Sequence, residues 1–153
     1  MVNQYIQYQL RPARASDQSL IRRLVLGAGL NPLHLDWEHF ILAQTPQGEA
    51  VGCGQMKEHR DGARELASIL VVPEVRGRGI ASMIITRLLS EHEPPVWLTC
   101  RRELTSFYNQ FGFREIASTE QMPAYFRRVS RLVRLLALGR RENPLAVMCR
   151  GCG

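Results

Sequence analysis

The chain has 153 residues, 45% of them hydrophobic and 22% charged, a balance that suits one globular domain with a substantial core. No apolar run approaches the ~20 residues of a membrane helix, and Met1 to Tyr5 lacks the basic and apolar regions of an export signal, so a cytoplasmic location without a membrane partner is expected. The formal net charge is +6, and Lys57 is the one lysine among 20 basic residues; the arginines are spread along the chain with no basic tail, which argues against a nucleic-acid partner and for a smaller anion.

Residues 4–11 are expected to form a first strand. Ser16 and Asp17 can cap a helix whose apolar positions are Leu20, Ile21, Leu24 and Val25 and which Gly27 and Gly29 end. Residues 30–38 read as a loop or a short second helix. Strands at 40–44 and 49–57 form a hairpin around Pro46-Gln47-Gly48. After a turn at Asp61-Gly62, residues 65–72 form a mostly buried strand, on which a period of two places Glu65, Ala67, Ile69 and Val71 on one face.

Ile80, Met83, Ile84 and Leu88 then mark an amphipathic helix from about Gly77 to Ser90, stopped by Pro94-Pro95. Val96 to Cys100 is the next strand, and a short helix after it ends at Gly112, with a further strand from Phe113. A helix over 123–138 starts at Pro123, with Arg127, Arg128, Arg131 and Arg134 mainly on one face and Val129, Leu132, Val133 and Leu136 on the other. Leu145 to Cys149 is the last strand. Cys53 and Cys100 fall in strands as small core residues. Cys149 and Cys152 form a lone pair with no second pair at zinc-ligand spacing, so no metal is expected and a mobile tail over 150–153 with incidental thiols is.

The segment Val71-Val72-Pro73-Glu74-Val75-Arg76-Gly77-Arg78-Gly79-Ile80-Ala81 carries the most chemistry. A strand runs into two glycines alternating with two arginines, and a helix follows at once. Glycine lets backbone approach an anion, first-turn amides point outward, and the helix dipole favours negative charge, so the loop suits a diphosphate. A Walker loop is excluded because no Gly-Lys pair exists. The dinucleotide fingerprint is incomplete, because Ser82 stands where its third glycine belongs.

Arg76-x-x-Gly79-x-Ala81 resembles the [Q/R]-x-x-G-x-[G/A] pyrophosphate loop of the GCN5-related N-acetyltransferase (GNAT) superfamily. Phe107-Tyr108-x-x-Phe111-Gly112-Phe113 resembles that superfamily's second signature, [FL]-Y-x-x-x-G-F. The two occur in the right order, joined by the right elements. The resemblance is densest from Glu49 to Ile116 and departs from the family at Arg101, where many members carry an asparagine; Arg101 or Arg102 could instead reach a cofactor phosphate.

The resemblance implies one domain over 1–153 of α/β (α+β) class, with a central mixed, mostly antiparallel sheet of about six or seven strands flanked by about four helices and splayed open at the acetyl-coenzyme A (acetyl-CoA) site. It implies contacts to acetyl-CoA from backbone at Ile69, Leu70 and Val71 and from the loop Arg76, Gly77, Arg78, Gly79, Ile80, Ala81 and Ser82. Glu65, eleven residues before Arg76, takes the place of the general base, and Tyr108 that of the acid which protonates the departing thiolate. His34, Trp37, Arg127 and Arg128 are candidates for the acceptor pocket, with a helical segment in a place similar to that of bacterial N-acetylglutamate synthases. An acetyltransferase acting on a small primary amine, an amino acid or an aromatic amine, is the expected function. A protein N-terminus or lysine is the alternative acceptor, a non-catalytic CoA-binding regulatory module is a second alternative, and a homodimer is left open.

Overall fold

The structure is a computed structural model, and it describes residues 7–139 and 143–153. Among these, the strands are β1 Gln9–Pro12, β2 Phe40–Gln44, β3 Ala50–Glu58, β4 Arg64–Val71, β5 Val96–Arg101, β6 Arg114–Glu115 and β7 Leu145–Arg150. The α-helices are α1 Gln18–Gly27, α2 Ile80–Ser90, α3 Thr105–Asn109 and α4 Ala124–Leu136. The strands form one sheet in the order β1-β2-β3-β4-β5-β7-β6, with β4 and β5 parallel and the β1–β2, β2–β3, β5–β7 and β6–β7 pairs antiparallel. This is the mixed, mostly antiparallel sheet with four helices that the sequence leads one to expect. The first strand is shorter than its expected span, of which residues 4–6 lie outside the described residues. Two compact units are distinguishable: the chain up to Lys57 together with Leu66–Glu91, and Glu58–Glu65 together with His92–Gly153.

In the first unit α1 buries Ile21 and Val25 completely against Phe40, Leu42, Cys53 and Leu70. Asp17 does not cap α1 with its side chain. Its carboxylate instead accepts the Arg14 N–H at 2.7 Å and two guanidinium donors of Arg11 at 2.8 and 3.0 Å. α2 begins at Ile80 rather than at Gly77, because Gly77 and Gly79 both adopt left-handed backbone at φ 77°, which cannot continue a right-handed helix. Its buried stripe is Ile80, Ile84, Ile85 and Leu88, and Met83, expected to face the core, is exposed.

Two glycines of β3 set how closely α2 approaches. A Cβ at Gly52 would lie 2.8 Å from the Leu70 carbonyl, and one at Gly54 would lie 2.5 Å from Ile69 and 2.6 Å from Ile84. The neighbouring strand contains an irregularity that periodicity alone did not signal. Ser68, in the middle of β4, has φ 57°, and Gln55 donates to its hydroxyl at 2.9 Å. A left-handed residue within a strand interrupts side-chain alternation in the manner of a bulge, so the single face of Glu65, Ala67, Ile69 and Val71 does not hold.

The second unit is centred on β5, which pairs with β7 from Val96↔Arg150 to Arg101↔Leu145. Trp97, Met122, Phe126, Val147 and Cys149 form its core, and Phe126 stacks on Trp97 at 5.6 Å between ring centroids. That aromatic contact fixes the rotation of α4. Phe126 and Ser130 point inward, whereas Leu132 and Leu136, expected on the buried face, are 58% and 80% exposed. Arg102 ties three segments together, donating to the Asn143 carbonyl at 2.8 Å, to Glu115 at 2.8 Å and to the Leu145 carbonyl at 3.4 Å. Cys149 and Cys152 are joined as a disulfide, not left as thiols; Cys149 is buried in β7 and the left-handed Gly151 brings Cys152 back to it.

The glycine contacts make a paired prediction. Gly54→Ala forces atoms into occupied space and should lower unfolding stability by about 1–3 kcal/mol. Gly27→Ala meets nothing within 4 Å of its Cβ and should lose none of it. Urea unfolding of both variants checks this, and equal midpoints would refute the close α2 approach.

Candidate active site

The phosphate-type loop belongs to the first unit. The strand β4 ends at Val71, a turn over Pro73–Val75 follows, and Arg76, Gly77, Arg78 and Gly79 are all exposed ahead of α2. The first helical hydrogen bond of α2 is from the Met83 N–H to the Gly79 carbonyl, at 3.0 Å. The amides of Ile80, Ala81 and Ser82 therefore precede any intrahelical acceptor and are free to hold an anion. Arg76 donates Nε to the Val71 carbonyl at 3.0 Å, and Arg78 donates to the Tyr8 hydroxyl at 3.0 Å. Both contacts order the guanidinium groups beside the loop while leaving further N–H donors on each. A diphosphate fits these residues: left-handed glycines, outward amides and two arginines.

Glu65 belongs to the second unit, in the short stretch where β4 pairs with β5. The register there is Arg64↔Val96 and Glu65↔Trp97. Its carboxylate is buried, and Oε2 lies 2.7 Å from His59 Nε2, whose side chain is only 11% exposed. The turn between β3 and β4 places that ring: the His59 N–H donates to the Ala63 carbonyl and the Gly62 N–H donates to the His59 carbonyl, both at 2.9 Å. The imidazole stacks on Tyr125 at 3.8 Å and meets the edge of Phe126 at 5.8 Å, so α4 forms its wall. Burial, and after it the charge of Glu65, pushes the Tyr125 phenol up from its ordinary range. Neither His59 nor Tyr125 was singled out by the sequence. The available signal was the turn at Asp61-Gly62, which brings His59 across from Ala63, two residues short of Glu65.

Tyr108 sits on α3, packed edge-on against Phe107 at 5.2 Å and Phe113 at 6.1 Å. Burial pushes its phenol up to about 12, with a smaller contribution from Cys100. A hydroxyl held in its protonated form at neutral pH can donate that proton to a thiolate. Cys53 and Cys100 are buried with thiols pushed up to about 12 and about 11, principally by burial, so neither is an activated nucleophile.

The acceptor-side candidates are dispersed. His34 is exposed with φ 56°, and Trp37 packs on the α1 core with its backbone N–H donating to Gln18 Oε1. Arg128 donates back to the Ala124 carbonyl of its own helix. Arg127 donates Nη2 to the Met122 carbonyl, and its buried Nε–H has no acceptor among the described residues. Within the second unit a cleft of about 550 Å³ is lined by Arg102, Glu115, Ser130, Arg134, Asn143 and Val147, so Arg134, not Arg127 or Arg128, is the α4 cation that borders it. Arg102 is committed to Glu115 and backbone carbonyls, which corrects the idea that it reaches for a cofactor phosphate. No described helix is long and apolar enough to cross a membrane.

Residues 36–115 match the family model of the acetyltransferase (GNAT) domain. An amino-acid acetyltransferase of Mycobacterium tuberculosis is 30% identical over 125 residues, which cover 72% of this chain and 70% of that protein. The crystal structure of Rv2747 from Mycobacterium tuberculosis, in complex with CoA, superposes with a TM-score of 0.68 at 26% identity, over 93% of this chain and 98% of that one. N-acetylglutamate synthase from Neisseria gonorrhoeae, complexed with coenzyme A and L-arginine, gives a TM-score of 0.70 at 16% identity over 94% of this chain. This chain spans 33% of that protein, and the likeness there is one of fold. Its sheet, its loop and its matched residues together place this chain in the GNAT family of acetyltransferases.

Proposed function

We propose that this enzyme transfers an acetyl group from acetyl-CoA to the primary amine of a small molecule, an amino acid first, by direct transfer in a ternary complex. The observation that carries the reading is the buried carboxylate of Glu65 on the β4 strand, paired with His59 at 2.7 Å, in a unit that also holds the half-buried Tyr108 phenol. Acetyl-CoA supplies the activated acetyl thioester. The exposed loop Arg76–Ser82 holds the diphosphate, and the backbone of Ile69 to Val71 serves the pantetheine arm and the thioester carbonyl. The Glu65 side of the site removes the proton of the incoming ammonium, and Tyr108 gives its proton to the departing thiolate.

The amino-acid preference rests on two observations. The 30%-identical relative is an amino-acid acetyltransferase, and α4 carries four arginines and no acidic residue. Arg127 retains an unspent buried donor and Arg134 borders the cleft, so one of the two reads the acceptor carboxylate. The test compares thiol release with an α-amino acid, its decarboxylated amine, an aromatic amine and a peptide N-terminus. The α-amino acid should turn over best, and replacing Arg127 and Arg134 with Ala should raise its KM while leaving that for acetyl-CoA unchanged. Faster turnover of the peptide, or an unaltered KM, removes the amino-acid assignment.

Tyr108→Phe should reduce kcat by about 10²–10⁴-fold without loss of acetyl-CoA binding. Because burial favours the neutral phenol, Tyr108 stays protonated until pH approaches about 12, so the wild-type rate should show no alkaline loss from this group up to pH ~10. An alkaline limb below pH ~10 that disappears in Tyr108→Phe would contradict the raised phenol, and an unaltered kcat in Tyr108→Phe would overturn its role as the acid.

A further inference from the structure

We infer that the proton acceptor of the reaction is His59, with Glu65 as the carboxylate that orients it. The inference rests on the acetyltransferase reading and deepens it by reassigning the base. Glu65 Oε2 is only 2.7 Å from His59 Nε2, and an ionised carboxylate can only accept, so the hydrogen in that contact is carried by Nε2. The neutral ring is then the tautomer whose lone pair lies on Nδ1, and among the described residues no protein donor is bonded to that atom. A carboxylate fixing one imidazole nitrogen while the other takes a proton is the logic of histidine dyads in general. Imidazole is also better matched to proton removal at neutral pH than a carboxylate.

The surroundings hold the ring for this task. The β3–β4 turn fixes the His59 backbone at both its N–H and its carbonyl. Tyr125 covers one face of the imidazole at 3.8 Å between ring centroids and Phe126 meets it edge-on at 5.8 Å. The titratable groups facing it are Glu65 from β4 and Tyr125 from α4. The imidazolium formed by proton transfer is compensated at once by the Glu65 carboxylate, so no isolated charge is created in the buried site.

The step balances. The Nδ1 lone pair bonds to a proton of the acceptor ammonium, and the nitrogen pair thus released bonds to the acetyl carbon. The carbon–sulfur bond breaks with its electrons going to sulfur and the thiolate takes the Tyr108 proton; the second proton lost from the nitrogen as the amide forms returns to the Tyr108 phenolate through water, and His59 returns its own proton to water.

The decisive variant is His59→Gln, because the glutamine amide can still donate to Glu65 Oε2 but has no basic nitrogen. Rates are measured on whichever amine turns over fastest, beside His59→Ala and Glu65→Gln, with acetyl-CoA-dependent thermal stabilisation as the check on folding. Both His59 variants should lose about 10²–10⁴-fold in kcat. Added imidazole should restore part of the His59→Ala rate, and the acidic limb of the wild-type kcat/KM profile should be absent from His59→Gln. Glu65→Gln should lose less than His59→Gln. Near-wild-type turnover by His59→Gln with the acidic limb intact, and a larger loss in Glu65→Gln, would make Glu65 itself the acceptor and overturn the inference. The small-molecule reading fails separately, through the choice of amine by the wild-type enzyme.

Discussion

A buried carboxylate must be paired, and in this protein the pairing of Glu65 with His59 constrains much of the second unit. To bring the imidazole to Oε2, the β3–β4 connection has to turn within five residues, from His59 to Ala63, with Gly62 in left-handed backbone. To keep water from separating the pair, Tyr125 and Phe126 must lie over the ring, which fixes the rotation of α4. That rotation in turn leaves Leu132 and Leu136 exposed and sends Phe126 onto Trp97, the β5 residue in register with Glu65. The β5–β7 ladder, closed by Arg102 at one end, holds Trp97 in place.

The first unit is organised around its glycines. Gly77 and Gly79 adopt positive φ, so the chain turns outward and α2 starts only at Ile80 with its first amides unspent. Gly52 and Gly54 allow α2 to lie close on β3.

Much of this was legible in the sequence. The strands, the hairpin at Pro46-Gln47-Gly48 and the α4 start at Pro123 follow from periodicity and punctuation, and the loop at Arg76–Ala81 follows from local chemistry. What escaped reading depends on tertiary contacts. Ser68 takes a left-handed conformation that no local glycine announces, with its hydroxyl bonded to Gln55 thirteen residues away in sequence. The Asp17 carboxylate is diverted from capping by Arg11. α4 has two apolar arcs competing for the sheet, and a helical wheel cannot say that Phe126 wins. His59 stands beside charged and polar neighbours in a turn, and only the register of the hairpin reveals that its ring reaches Glu65.

The central claim is that the Arg76–Ser82 loop makes this protein an acetyl-CoA enzyme, and thermal unfolding with and without acetyl-CoA tests it most directly. Coenzyme A and ATP serve as comparators. At about one hundred times its Kd the ligand should stabilise the native state by about 2.7 kcal/mol, with a similar effect from coenzyme A and none from ATP. An unchanged midpoint with both coenzyme forms would reduce the loop to a surface turn and contradict the account.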